Sequence, residues 1–149
     1  MSTADTTPVS LAAKRTAIGR FMGGFSNVAP TQLGSYVLEA LFKEHGAAKD
    51  HVDECIMGCV LQCGLGQNPA RQVGLGAGLP DTLNAQTINK VCGSGLQAAM
   101  LAGQSIRAGD NQLVVAGGSE SMTRAPHYAL LRPGLKFGPG TLEDHMAHD

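Results

Sequence analysis

The residue with the clearest chemical potential is Cys92, set in the string Asn89-Lys90-Val91-Cys92-Gly93-Ser94-Gly95. Small residues on its carboxyl side mark a tight turn from a strand-forming stretch into a helix-forming one, and the first N–H groups of a helix have no partner within it. The amides of Gly93, Ser94 and Gly95 are therefore expected to point at the sulfur or at whatever it carries, and the helix dipole favours a thiolate there. The glycines also let a ligand approach closely, and the same amides can hold the oxyanion of an acyl-transfer intermediate. This is the geometry of a nucleophile. The plain alternative is a buried structural cysteine, the usual state of a free one.

Other chemistry-bearing residues are weaker candidates. Cys55, Cys59 and Cys63 recur every four residues, which on a helix would line one face like a metal site. Their segment reads as a strand, however, where positions four apart lie roughly 13 Å from each other and cannot converge on one ion. They are expected to be small buried hydrophobes. Gly74-Leu75-Gly76-Ala77-Gly78 lacks the strand-glycine-helix context of a phosphate loop, and His127, His145 and His148 have no carboxylate at a metal-site spacing. No metal is expected. Arg124, Arg132 and Lys136 make a proline- and glycine-rich stretch locally basic, and Glu120 suits a buried hydrogen-bonding role better than a catalytic one.

Positioning Cys92 requires a strand before it and a helix after it. Residues 85–90 have strand character, and residues 96–108 read as a helix that closes at Gly109. Further strands are expected over 9–15, 55–61 and 112–116, the last as a fourth strand. Helices are expected from Thr31 to a stop at Gly46, and over 70–79 behind the Asn68-Pro69 cap. Strands alternating with helices imply an α/β fold with a parallel sheet covered on both faces. Beyond Ser121 no regular element is expected, so the last strand is left without a neighbour.

Composition narrows the function classes. The 149 residues are 43% hydrophobic and 15% charged, with a formal net charge of -1, which is neither a disordered chain nor a polycation for phosphate backbones. Nucleic acid is not an expected partner. Uncharged stretches are too short and too interrupted to span a bilayer, and the Met1-to-Thr7 terminus lacks a basic segment followed by an apolar run. A cytoplasmic address is expected, where four cysteines argue against disulfides. Glycine, at 20 residues, is about twice its usual share, which favours close backbone packing over large aromatic anchors.

Five strings in order carry a resemblance: Arg15-Thr16-Ala17-Ile18-Gly19-Arg20-Phe21, Gly66-Gln67-Asn68-Pro69-Ala70-Arg71-Gln72, Asn89-Lys90-Val91-Cys92-Gly93-Ser94-Gly95-Leu96, Ala116-Gly117-Gly118-Ser119-Glu120-Ser121-Met122 and Ala125-Pro126-His127. Together they resemble the amino-terminal half of a thiolase of the acetyl-CoA acetyltransferase type. The resemblance implies a thiolase-like α/β fold, with 1–121 the amino-terminal part of the first core domain and 122–149 the start of the long loop domain involved in tetramerisation. The second core domain is absent from the chain.

The resemblance implies the chemistry as well. Cys92 takes the acetyl group of acetyl-CoA as a thioester and passes it to a second acetyl-CoA, giving acetoacetyl-CoA and coenzyme A. The substrates are coenzyme A thioesters, with no tightly bound cofactor, and Arg132 and Lys136 steer the phosphates of coenzyme A. The family's histidine, its second cysteine and its water-holding asparagine all belong to the carboxyl-terminal half. The expected assembly is a tetramer of paired dimers completed by the remaining thiolase segment. The alternatives are a 3-ketoacyl-CoA thiolase of longer chain-length range and a non-catalytic interaction fragment.

Overall fold

The computed structural model describes residues 7–148. Residues 1–6, on which the expected lack of a secretory signal largely rests, lie outside the described residues. Three parallel strands, β1 (Glu54–Gly58), β2 (Asn84–Ile88) and β3 (Val114–Gly118), form a sheet in the order β2-β1-β3. Three helices, α1 (Pro30–Glu44), α2 (Pro69–Gly76) and α3 (Ser94–Ala108), connect or cover them. Further on, β4 (His127–Tyr128) and β5 (Glu143–Asp144) form a short antiparallel ladder. No helix among the described residues is long and apolar enough to cross a membrane.

Because successive side chains of a strand point to opposite faces, central β1 splits the interior in two. Cys55 and Met57 pack with Leu38, Val73 and Leu79 under α1 and α2, while Ile56 packs with Ala98 and Ala102 under α3. A strand covered on both faces reads as a continuous apolar run, as Cys55-Ile56-Met57 does. Helix α2 is bolted to β2 through its cap. The Asn68 Oδ1 accepts from the Arg71 N–H at 3.2 Å and from the Thr87 hydroxyl at 2.8 Å, while Asn68 Nδ2 donates to the Ala85 carbonyl at 2.9 Å.

The expected strand over residues 9–15 does not form: this segment has no regular structure and is largely exposed. Among the described residues strand β3 pairs only with β1, and residues 9–15 join no ladder. An open groove of about 1750 Å³ is lined by Val9 and Leu11 of this segment and by Val114 and Ala116 of β3. The parallel sheet thus has three strands, and the one expected over 112–116 starts at Val114. An Asp53 carboxylate oxygen accepts the N–H groups of Gln112 at 2.7 Å and Leu113 at 2.9 Å, holding both outside the ladder.

The strand expected over 55–61 likewise ends at Gly58. Here the Glu120 carboxylate takes the Val60 N–H at 2.8 Å and the Leu61 N–H at 3.2 Å, so the chain leaves the sheet.

Candidate active site

Cys92 lies in the turn from β2 to α3, past the carboxyl end of the strand, and it is exposed. That end of a parallel sheet is where α/β proteins place ligands. The residue before it carries strain: Val91 has φ of 49°, a left-handed conformation that costs a β-branched residue of order 1–3 kcal/mol. Two side chains hold it there. Asn89 Oδ1 accepts the Val91 N–H at 2.9 Å, and the Ser94 hydroxyl donates to the Val91 carbonyl at 2.6 Å while accepting the Lys90 N–H at 2.8 Å.

The amides of Gly93 and Ser94 do not face the sulfur as expected. Gly93 N–H donates to the Lys90 carbonyl and Ser94 N–H to the Val91 carbonyl, each at 3.1 Å. A tight turn offers these donors carbonyls of its own, which satisfy them before any ligand arrives. Those two amides therefore close the turn.

Beneath the turn the backbone of α3 rests directly on the sheet. A Cβ at Gly58 would stand 2.5 Å from the Ser94 carbonyl carbon and 2.6 Å from the Gly95 nitrogen, so only glycine allows this contact. The ends of the strands are tied to the same region, with Cys59 N–H donating to the Ile88 carbonyl and Ser119 N–H to the Gly58 carbonyl, both at 3.0 Å. The platform under Cys92 is thus made of main chain.

The other cysteines differ in kind. Burial, aided by the neighbouring Glu54 charge, pushes the Cys55 thiol up to about 12. Burial and the Glu120 carboxylate, whose Oε1 accepts the Cys59 thiol at 3.5 Å, push Cys59 up to about 12 as well. Both are held as thiols, whereas Cys63 is half-buried and its N–H donates to His145 Nε2 at 3.4 Å. Among the described residues no three His, Cys, Asp or Glu side chains are placed to hold a metal ion. Glu120 has a hydrogen-bonding role, spanning the loop after β1, though it is exposed rather than buried.

The histidines after Ser121 belong to local structure. His127 lies 3.9 Å from Asp144 and His148 lies 3.9 Å from Glu143, while Tyr128 packs edge-on against the rings of His145 and His148. Arg132 and Lys136 are exposed between β4 and β5, and no hydrogen bond or ion pair joins either to the Cys92 turn among the described residues. Nor does Cys92 line the large groove. Sequence reasoning named the Ser94 amide but missed the Ser94 hydroxyl, the Asn89 side chain, the left-handed Val91 and the close approach at Gly58. An asparagine two residues before Val91 is a turn signal that was available, while nothing local marks Val91 as left-handed.

A family model described as "Thiolase, N-terminal domain" matches residues 9–149. A curated acetyl-CoA acetyltransferase of Cupriavidus necator is 48% identical over 142 residues, covering 95% of this chain and 36% of that protein. One of Shinella zoogloeoides is 44% identical over 97% of this chain and 37% of its own length. Among solved structures, a thiolase from Ascaris suum in complex with coenzyme A superposes with a TM-score of 0.83 at 37% identity, over 91% of this chain and 35% of that one. The Bacillus anthracis acetyl-CoA acetyltransferase gives 0.79 at 38% identity, over 86% of this chain and 33% of that one. The chain spans about a third of the length of these relatives.

Proposed function

The chain belongs to the thiolase family, and from that premise we propose that it supplies the nucleophile half of an acetyl-CoA acetyltransferase. The observation that carries this reading is the placement of Cys92: exposed, past the end of a parallel strand, at the start of a 15-residue helix and on a fixed turn. Two of the other three cysteines are buried thiols. In the first half-reaction the Cys92 thiolate attacks the carbonyl carbon of acetyl-CoA. The Cys92 N–H is the donor for the oxyanion, and the thiolate of coenzyme A leaves and takes a proton. In the second, the α-carbon of another acetyl-CoA, having lost its proton to a base, attacks the acetyl-cysteine. Acetoacetyl-CoA departs, and the Cys92 thiolate is regenerated. No residue of this chain is assigned as that base, which the family keeps in its carboxyl-terminal half.

The reading extends to assembly and place. Residues 1–121 are part of the first core domain, and the stretch from 122 opens the loop domain. There exposed Leu130, Leu131, Leu135 and Phe137 are a contact surface for pairing dimers into a tetramer, with Arg132 and Lys136 steering coenzyme A phosphates. The enzyme acts in the cytoplasm and uses no metal. Thiolysis of acetoacetyl-CoA by the chain combined with the carboxyl-terminal two-thirds that its relatives carry tests the activity. A preference for longer 3-ketoacyl-CoA substrates makes it a thiolase of broader range instead.

A further inference from the structure

Ser94 is the buried polar side chain of the Cys92 turn, only 4% exposed. Its hydroxyl gives its one proton to the Val91 carbonyl at 2.6 Å and accepts the Lys90 N–H at 2.8 Å, so it has no proton left to donate to a substrate. Both bonds end on residues flanking or forming the left-handed kink at Val91, where φ is 49°. A valine leaves that region unless its surroundings over-determine it, since Cβ crowding makes the conformation unfavourable. Relaxation of Val91 would turn the next peptide plane, which carries the Cys92 N–H and sets the direction of the Cys92 side chain.

We propose that Ser94 is a positioning residue that locks Val91 in the left-handed conformation and so aims the Cys92 sulfur and N–H at the acyl carbon. Asn89, which accepts the Val91 N–H at 2.9 Å, is the second arm of the clamp. The inference rests on Cys92 being the acetyl acceptor. It makes a specific statement about energetics: the hydroxyl matters because residue 91 is a valine, and a residue with no Cβ would need no clamp.

The test is a time course of Cys92 acetylation by acetyl-CoA in the chain assembled with the carboxyl-terminal part of its relatives, read by peptide mass. If wild-type Cys92 takes up no acetyl group, the nucleophile assignment fails before any variant is compared. If it does, Ser94→Ala acetylates about 10- to 100-fold more slowly at saturating acetyl-CoA, the loss expected when a nucleophile shifts by a fraction of an ångström. Its KM changes little. Val91→Gly gives the reference rate of the unclamped turn, and the double variant Val91→Gly/Ser94→Ala regains at least tenfold over Ser94→Ala. A purely structural serine predicts no such rescue. Three results overturn the proposal: a Ser94→Ala rate equal to wild type, a folded double variant as slow as the single, or failure of the double variant to fold. If Ser94→Ala alone does not fold, a folded double variant that acetylates at near the Val91→Gly rate upholds it.

Discussion

Replacing Gly58 by alanine tests the main-chain platform beneath Cys92. The added methyl would meet the Ser94 carbonyl carbon at 2.5 Å and the Gly95 nitrogen at 2.6 Å, and neither atom is the end of a flexible side chain. Reaching an ordinary contact near 3.4 Å requires a displacement of about 0.9 Å between β1 and the first turn of α3. Overpacking of this kind costs about 1–3 kcal/mol of stability. A nucleophile moved by about 1 Å loses on the order of 100-fold in rate. Both effects are expected together, because the colliding atoms belong to the turn that carries Cys92. The matched control is Gly46→Ala, where an added Cβ meets nothing within 4 Å and the effect is expected to stay within about 0.5 kcal/mol. Denaturant unfolding and the Cys92 acetylation rate, measured on wild type and both variants, give the two numbers. A Gly58→Ala protein that unfolds with wild-type stability and acetylates at the wild-type rate would refute the reasoning.

Cys92→Ser replaces a thiolate by a far weaker nucleophile, so acetyl transfer is expected to fall by orders of magnitude while coenzyme A affinity holds; retained activity would move the nucleophile elsewhere. The raised Cys55 thiol contributes stability that is complete below its ordinary value of 9.0 and is lost as pH rises towards about 12. Against Cys55→Ala, wild type should therefore lose about 1.4 kcal/mol more between roughly pH 7 and pH 10, and equal pH slopes would contradict this. Hydrogen bonds from the Leu113 and Gln112 amides hold the Asp53 carboxyl below its ordinary value of 3.8. Asp53→Asn is expected to cost about 0.5 kcal/mol at neutral pH, the low end for an exposed group, with the difference vanishing as pH falls through the lowered value. Residues 1–149 produced alone are expected to aggregate or fold only partly, because among the described residues no strand pairs with the outer edge of β3 and the groove beside it is open. Joined by a carboxyl-terminal part, they should give paired dimers. Size-exclusion chromatography showing a sharp, cooperatively melting monomer would count against this expectation.

The α/β alternation was legible because β1 is apolar on both faces and because Asn68-Pro69 and Gly109 mark helix ends by local chemistry. The strand over 9–15 was misread for a different reason. Its composition suits a strand, but a strand also needs a partner's ladder, and among the described residues this segment pairs with none. Two of the other boundary errors, those of β3 and β1, came from long-range hydrogen bonds. Asp53 delays the start of β3 and Glu120 ends β1 early, across 59 and 60 positions of sequence respectively. Within the site, Cys92 stood out through its flanking glycines. The direction of the Gly93 and Ser94 amides did not, because it depends on which carbonyls the turn brings back upon them.

The central claim is that Cys92 carries the acyl group. Wild type and Cys92→Ser, each assembled with the carboxyl-terminal part, can be exposed to acetyl-CoA, quenched in acid and digested for peptide mass. The expected result is one acetyl group on the peptide containing Cys92 in wild type, its removal by added coenzyme A, and no thioester in the variant. An unmodified Cys92 peptide, or an acetyl thioester found instead on Cys55, Cys59 or Cys63, would contradict it.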